Sequence, residues 1–154
     1  GLVGSEMCIR DSLLAAGGWN PAIKRWNDLE LGVRLALQRP VAVKAGGKPT
    51  LHTVGHHDSI TGPSATEAAP DRIATLDAVE PLLTSRRHRR ILLLKRAILA
   101  GECHREGSRG YAHTQMQNLL GKEKCPFYRQ LYRAASAWVA CGIPGVSVAF
   151  RLFF

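Results

Sequence analysis

The sequence lacks the glycine-rich loops that hold nucleotide phosphates. Neither G-x-x-x-x-G-K-[ST] nor G-x-G-x-x-G occurs in the 154 residues, and these are the loops whose backbone N–H groups surround phosphate groups. No helix-turn-helix, RRM or zinc-finger signature is present either. The sequence alone therefore indicates neither nucleotide binding nor base-specific reading of a nucleic acid.

Cysteine is also scarce. Cys8 belongs to a segment discussed below, and the remaining Cys103, Cys125 and Cys141 are odd in number and have no C-x-x-C spacing. This pattern argues against a disulfide framework and against a zinc knuckle, and it favours a reducing compartment. We therefore expect a cytoplasmic protein.

Acidic residues are outnumbered by basic ones, 12 against 21, and the formal net charge at pH 7 is +9. Such a balance indicates an anionic partner, which is a nucleic acid, a nucleotide diphosphate or the anionic face of a membrane. Hydrophobic residues make up 45% of the chain, which is typical of a globular domain. The composition indicates a class of partner but does not choose within it.

The first residues of the chain show no helical or strand periodicity. Residues 2–12 (LVGSEMCIRDS) match the translation of a transposase-based sequencing adapter that ends in its mosaic end. Segments of this kind are set aside before the fold is considered. We therefore interpret residues 1–12 as derived from an adapter and expect the native sequence to begin at Leu13, inside a domain.

Residues 13–70 predict an α/β fragment with an incomplete sheet. Asp28 is a good N-cap residue, and an apolar helical face follows it. Glu30 and Arg34 are four residues apart in the order that favours an ion pair on a helix, so we expect them to pair. Short strands are predicted at residues 41–45 and 50–54, and a polar loop is predicted at residues 56–70. An incomplete sheet presents unpaired strand edges, so a chain that does not fold stably is a further alternative.

Residues 71–154 predict an α-helical C-terminal region. Helical periodicity marks four segments, which are residues 71–83, 87–100, 110–120 and 126–140. Gly101 is expected to end the second of them. The uncharged stretch of residues 134–150 approaches the length of a membrane span, but its glycines and its proline favour a packed helix with an irregular end.

Three motifs follow one another in the first half of the chain. They are residues 17–21 (GGWNP), residues 26–35 (WNDLELGVRL) and residues 52–61 (HTVGHHDSIT). This order resembles that of family 2 glycosyltransferases of the GT-A fold. Those enzymes carry a Gly-Gly-aromatic turn, an acidic pair that opens a helix ending in Arg-Leu, and a histidine-containing loop. The resemblance covers residues 13–62.

The sequence departs from the family's pattern in two ways. Asn27 stands where the family usually has the first acid of a Glu-Asp pair, and the Asp-x-Asp that holds the metal in the nucleotide-binding half does not occur. The resemblance therefore implies the acceptor-side part of a glycosyltransferase without its nucleotide-binding half, inactive when alone. In the intact parent, a sugar passes from a nucleotide-diphosphate donor to a hydroxyl acceptor.

The resemblance implies that Asp28 is the general base and that Trp19, Trp26 and Asn27 bind substrate. An inverting transfer needs a base that takes the proton of the acceptor hydroxyl, and a carboxylate at a helix N-terminus is fixed in direction. The helix dipole favours the ionised carboxylate, so an aromatic wall would be needed to raise its basicity. The alternative is that Asp28 only caps its own helix.

His56 and His57 lie in the loop of the third motif. The resemblance implies that they help to hold a divalent metal, Mn or Mg, against the nucleotide-sugar donor of the intact parent, and imidazole is a suitable ligand for transition metals. The alternative is a polar loop whose histidines form hydrogen bonds with the backbone.

The densest run of positive charge opens the second helix of the C-terminal region. Its members are Arg86, Arg87, Arg89, Arg90, Lys95 and Arg96. The run is a solvated helix face, a contact for anionic lipid headgroups or a contact for nucleic acid phosphates; the last has no base-reading signature to support it. The alternative to the glycosyltransferase is therefore a basic helical module that binds nucleic acid or an anionic membrane surface. A membrane contact would place the protein at the inner face of the membrane.

Overall fold

In the computed structural model of the chain, the described residues are 10–38 and 64–153. They fall into two units, with the boundary after Pro63. Both described ranges are helical and contain no strand, so the expected α/β fold with an incomplete sheet is wrong. Two short runs of alternation are weak evidence for a sheet beside long helical periodicities. The predicted strands, residues 41–45 and 50–54, lie outside the described residues.

The first unit contains two helical segments joined by a turn. Residues 10–15 are helical, and Gly17 and Gly18 follow with left-handed φ angles of 81° and 67°. Helix α1 (Asn27–Leu37) comes after this turn. The first helical segment, residues 10–15, includes Leu13, at which we expect the native sequence to begin.

The second unit is built from helices packed on one another. They are α2 (Ala65–Val79), α3 (Arg86–Arg105), α4 (Arg109–Lys122), α5 (Pro126–Ala140) and the short α6 (Val146–Ala149), with 3-10 turns at Glu80–Leu82 and Phe150–Phe153. The predicted bounds of α5 are confirmed, and those of α4 differ by one or two residues at each end, which is the usual uncertainty of helix ends.

Helix α3 is the centre of the second unit and contacts α2, α4 and α5. Its Leu93 and Ala97 belong to the main apolar cluster, together with Leu119 of α4 and Tyr132 of α5. Each fully buried leucine stabilises the fold by roughly 1.5–3 kcal/mol relative to exposure. Tyr132 is fully buried, and its hydroxyl donates a hydrogen bond to the carbonyl oxygen of Arg90 at 3.3 Å. The hydroxyl of this buried tyrosine is therefore satisfied inside an otherwise apolar cluster.

Helix α2 begins inside the predicted polar loop and continues through Pro70. Its N-terminus is capped twice. The Ser64 hydroxyl accepts a hydrogen bond from the N–H of Glu67 at 3.1 Å, and the Glu106 carboxylate accepts hydrogen bonds from two N–H groups of the first turn, each at 2.8 Å. These donors have no partner within the helix, and a negative charge favours a helix N-terminus. Because Glu106 lies 40 residues away along the chain, local periodicity could not reveal this cap.

Gly101 does not end α3, which continues to Arg105. Gly101 is buried against α5, and a Cβ atom added there would lie 2.5 Å from the carbonyl oxygen of Ser136 and 2.9 Å from the Cβ of Val139. A backbone carbonyl cannot move aside as a flexible side chain can, so only glycine permits this close approach. The expected helix end is wrong because this glycine serves the packing of two helices.

No helix within residues 10–38 and 64–153 combines the length and the apolarity that crossing a bilayer requires. The uncharged stretch of residues 134–150 contains the end of α5, a turn with left-handed Gly142 and Gly145, and α6. This arrangement is the packed helix with an irregular end that the sequence favours.

We expect Gly101→Ala to destabilise the second unit. Alanine gains about 1 kcal/mol over glycine in helix propensity, whereas overpacking a core costs about 1–3 kcal/mol or more, and here the obstacle is backbone. Urea denaturation should show a fall of about 2 kcal/mol in the free energy of unfolding. Gly121→Ala is the control, since nothing lies within 4 Å of the added Cβ. Equal stability of Gly101→Ala and the unchanged chain would contradict the close approach.

We expect Glu106→Gln to destabilise the second unit at neutral pH by at most about 1 kcal/mol, which is the typical contribution of a helix cap. The loss is reduced because the Glu106 carboxylate is exposed and solvent screens its charge. The hydrogen bond from the N–H of Thr66, more than any other contact, lowers the pKa of Glu106. A lowered pKa stabilises the fold above the pKa of the unfolded chain, and this contribution is lost as the pH falls through the folded pKa.

Denaturation of both chains across the acid range checks the expected behaviour of Glu106. The difference in stability between the unchanged chain and Glu106→Gln should shrink as the pH falls and the carboxyl group of Glu106 becomes protonated. Glu67→Gln removes the same charge from the first turn of α2 without removing a hydrogen bond to a backbone N–H. A loss of stability as large in Glu67→Gln as in Glu106→Gln would show that the charge alone matters, against the role of the two hydrogen bonds.

Candidate functional site

Arg34 joins helix α1 to the Gly-Gly turn that precedes it. Its guanidinium donates hydrogen bonds to the carbonyl oxygens of Ala16 and Gly18, the latter at 2.7 Å. The same group donates two hydrogen bonds of 2.7 Å to the two carboxylate oxygens of Glu30. A planar guanidinium presents several donors in a fixed geometry and can hold all these acceptors at once. One side chain therefore fixes the turn against the helix.

The predicted pairing of Glu30 with Arg34 is confirmed, but it is not a surface pair. Glu30 is 4% exposed, and the hydrogen bond to Glu30 raises the pKa of the Arg34 guanidinium. Removing one partner of a buried pair leaves the other charge uncompensated, which costs more than losing an exposed pair. The i,i+4 spacing indicated the pair, whereas nothing in the spacing indicated the two carbonyl acceptors.

The turn that Arg34 holds needs its glycines because Gly17 and Gly18 both have left-handed φ angles. Side chains with a Cβ rarely adopt this conformation. The carbonyl oxygens of Ala16 and Gly18 can meet the guanidinium only if the chain reverses at this point. The backbone conformation of this turn therefore explains the two glycines of the first motif.

Trp26 is the residue before α1 and has a left-handed φ of 56°. For a bulky residue with a Cβ this conformation costs of order 1–3 kcal/mol, and such residues cluster at binding and active sites. The side chain of Trp26 forms no capping hydrogen bond. The strained backbone lies directly before Asn27 and Asp28, two of the predicted site residues.

Asp28 is the second residue of α1 and not its N-cap, which is Trp26. The side-chain oxygen of Asn27 accepts a hydrogen bond from the N–H of Asp28 at 2.9 Å, so Asn27 provides the polar contact expected of Asp28. The Asp28 side chain is exposed and forms no ion pair with the residues described in the first unit. The expectation that Asp28 caps the helix is wrong, and its carboxylate remains open to solvent.

The other predicted substrate residues share the first unit with Asp28. Trp19 is 54% exposed and follows the Gly-Gly turn, Trp26 is half-buried and Asn27 is exposed. The structure thus places the four residues on the two segments that Arg34 joins. The predicted metal ligands His56 and His57 lie outside the described residues. Within the described ranges, no cluster of three or more His, Cys, Asp or Glu side chains suits a metal ion.

The six basic residues predicted to form an anionic-surface contact are divided by the structure. Arg96 is 6% exposed and pairs with Asp77 at 2.6 Å, so it holds α3 to α2 and is closed to an external anion. Arg90 pairs with Glu123 at 3.2 Å. Arg86, Arg87, Arg89 and Lys95 are exposed. The run therefore does not form a continuous cationic stripe along α3.

Comparison with known proteins found no match for this chain. No family model, no curated protein and no solved structure matches the chain.

We expect Arg34→Lys to loosen the first unit and leave the second unchanged. Lysine keeps the charge but cannot hold two carbonyl oxygens and a carboxylate in one plane. Hydrogen exchange measured by mass spectrometry should show faster exchange in peptides from residues 10–38, because the hydrogen bonds that hold the carbonyl oxygens of Ala16 and Gly18 are lost. Peptides from residues 64–153 are the internal control. Unchanged exchange in the first range would contradict the role of Arg34.

Proposed function

We propose that the chain is the acceptor-side part of a glycosyltransferase that moves a sugar from a nucleotide-diphosphate donor to a hydroxyl acceptor. The proposal begins with the resemblance of three motifs in residues 13–62 to family 2 glycosyltransferases. It does not depend on the sheet expected for this region, since the described residues are helical.

The hydrogen bonds of Arg34 carry the proposal. Arg34 belongs to the second motif, and it binds the carbonyl oxygens of the first motif's turn. Two short motifs that are separate in the sequence therefore belong to one small unit, as residues of a common site must. The strained backbone of Trp26, next to an open carboxylate, is typical of a functional site.

The chemistry follows from the groups that this unit presents. The acceptor oxygen attacks the anomeric carbon of the donor, the new C–O bond forms, and the bond from that carbon to the diphosphate oxygen breaks with its electron pair leaving on the diphosphate. The carboxylate of Asp28 takes the proton of the acceptor hydroxyl. Trp19 and Trp26 offer flat apolar faces to a sugar ring, and Asn27 offers an amide for its hydroxyl groups.

The donor and its metal are the contribution of other parts of the parent enzyme. A divalent metal would neutralise charge on the departing diphosphate, and the described residues provide no cluster to hold it. His56 and His57 stay predictions for that role. We therefore assign only acceptor binding and proton removal to this unit.

The alternative function is a basic helical module that binds through the positive run of α3, and this function has less support. That function needs a continuous positive surface on α3, whereas Arg96 is buried and Arg90 is paired. Of the exposed residues of this run, only Arg86 and Arg89 line the smaller concave surface at the start of α3.

We expect the chain to bind simple sugars through Trp19 and Trp26. The third tryptophan, Trp138, belongs to the second unit, so the variant Trp138→Phe reports only on the proposed site. In that variant, titration with methyl glycosides of glucose, galactose, mannose and N-acetylglucosamine should change the tryptophan fluorescence for at least one sugar. Affinity should be weak, in the millimolar range, because an exposed single-sugar contact buries little surface.

Two further variants, each made together with Trp138→Phe, separate the roles at this site. Trp19→Ala should abolish the response because it removes an exposed stacking face, whereas Asp28→Asn should keep it because proton removal is not needed for binding. With a nucleotide-sugar donor added, the chain alone should release no nucleotide diphosphate. No response to any of the four glycosides would contradict the proposal, as would sugar transfer by the isolated chain.

A further inference from the structure

A cationic cleft lies in the second unit at the start of α3 and encloses roughly 970 Å³. Its charged lining consists of Arg86, Arg89, Arg90, Lys122 and Lys124 on the basic side and Asp77, Glu80 and Glu123 on the acidic side. Five cations thus face three carboxylates in one concave surface.

The three carboxylates of the cleft are already engaged. Their partners are given by the pairs Glu123–Arg90, Glu80–Lys122 and Asp77–Arg96. Within residues 64–153, this leaves Arg86, Arg89 and Lys124 without a carboxylate partner. Arg89 uses its Nε to donate a hydrogen bond of 2.6 Å to the carbonyl oxygen of Leu83, which orients the side chain without neutralising it.

The position of the cleft adds to its positive potential. It lies at the N-terminal end of a 20-residue helix whose first turn contains no acidic residue and whose N-cap Ser85 forms no side-chain capping hydrogen bond. The unsatisfied N–H groups of such a turn carry partial positive charge. An anion in the cleft would therefore meet three uncompensated side chains and a favourable helix end.

An exposed aromatic pair lies next to this cleft. The side chains of Phe127 and Phe153 are 56% and 47% exposed, with ring centroids 6.3 Å apart. Phe127 also packs edge-to-face on Tyr128 at 5.4 Å, and the Arg90 guanidinium lies 3.6 Å from the centroid of the Tyr128 ring. The contacts run without a gap from the cationic cleft to the exposed phenylalanines.

We propose that the cleft and the aromatic pair form one surface that docks on the anionic face of a phospholipid membrane. The uncompensated cations bind the phosphate groups of the lipids, while Phe127 and Phe153 enter the boundary between headgroups and acyl chains, where aromatic side chains are favoured. A free phosphate would satisfy the cations but offers no apolar layer for the phenylalanines, and in a nucleic acid duplex the faces of the bases are already stacked on one another. Single-stranded nucleic acid, whose bases can stack on aromatic side chains, is the competing occupant that the test below includes. This inference goes beyond sugar transfer and does not rest on it.

Sedimentation of the 154-residue chain with lipid vesicles tests the proposal. We expect binding to vesicles of phosphatidylglycerol and phosphatidylcholine in equal parts, and little binding to vesicles of phosphatidylcholine alone. Binding should weaken as the salt concentration rises, because exposed charges are screened beyond about 8 Å at physiological ionic strength. Equal binding to both kinds of vesicle would overturn the proposal.

A matched pair of double variants locates the surface. Each basic residue near an anionic membrane strengthens binding by a factor of about five, so Arg86→Ala with Lys124→Ala should weaken it about 25-fold. The control, Arg105→Ala with Arg109→Ala, removes the same charge from exposed positions at the other end of α3, which is roughly 28 Å away along the helix axis. Equal losses in the two double variants would show a non-specific charge effect and overturn the assignment.

The aromatic pair and the choice of anion are tested separately. Phe127→Ser should weaken vesicle binding about tenfold, since serine cannot bury an apolar ring at the boundary of the acyl chains, while circular dichroism shows an unchanged helical content. Unchanged vesicle binding by Phe127→Ser would overturn the proposal. Displacement of the chain from vesicles by millimolar inorganic phosphate would assign the cleft to a free anion instead. Tighter binding to single-stranded or duplex oligonucleotides than to the vesicles would assign it to nucleic acid, and either result also contradicts the proposal.

Discussion

The close approach of α3 and α5 at Gly101 is the constraint on which the second unit depends. The missing side chain lets the backbone of one helix lie against the carbonyl oxygen of Ser136 on the other, and α3 in turn contacts α2 and α4. Interiors packed to crystal-like density leave no room for an added methyl group against backbone. The position of α5 also places Tyr128 under Arg90, so the cationic cleft and the aromatic pair are neighbours as a consequence of this packing.

In the first unit, a single polar group has the comparable role. Arg34 satisfies two carbonyl oxygens of the Gly-Gly turn and both oxygens of the buried Glu30. Because the group is charged and nearly surrounded by acceptors, its bonds are stronger than those between neutral groups. It supports the two segments that bear Trp19 and Asp28. In the acceptor site that we propose, Arg34 is therefore a positioning residue, and the side chains of Trp19 and Asp28 are exposed.

The sequence predicted the parts of the structure that depend on local pattern. The bounds of α5 and the pairing of Glu30 with Arg34 follow from periodicity and i,i+4 spacing, and both are confirmed. The sequence did not predict the features that depend on a residue far away along the chain. The start of α2 depends on Glu106, the burial of Arg96 depends on Asp77, and the close packing at Gly101 depends on Ser136. The α/β expectation is wrong because residues 10–38 and 64–153 contain helices and no strand, and the site's proton acceptor remains a prediction from resemblance.

The measurement that tests the central claim most directly is to read the source DNA across the codon of Leu13 and upstream of it. If the chain is the acceptor-side part of a glycosyltransferase, the upstream reading frame encodes a β-α-β start followed by an Asp-x-Asp that holds the metal and the donor. A start codon close to Leu13, with no such domain before it, would contradict the account and leave the second unit's cationic and aromatic surface as the chain's remaining candidate for function.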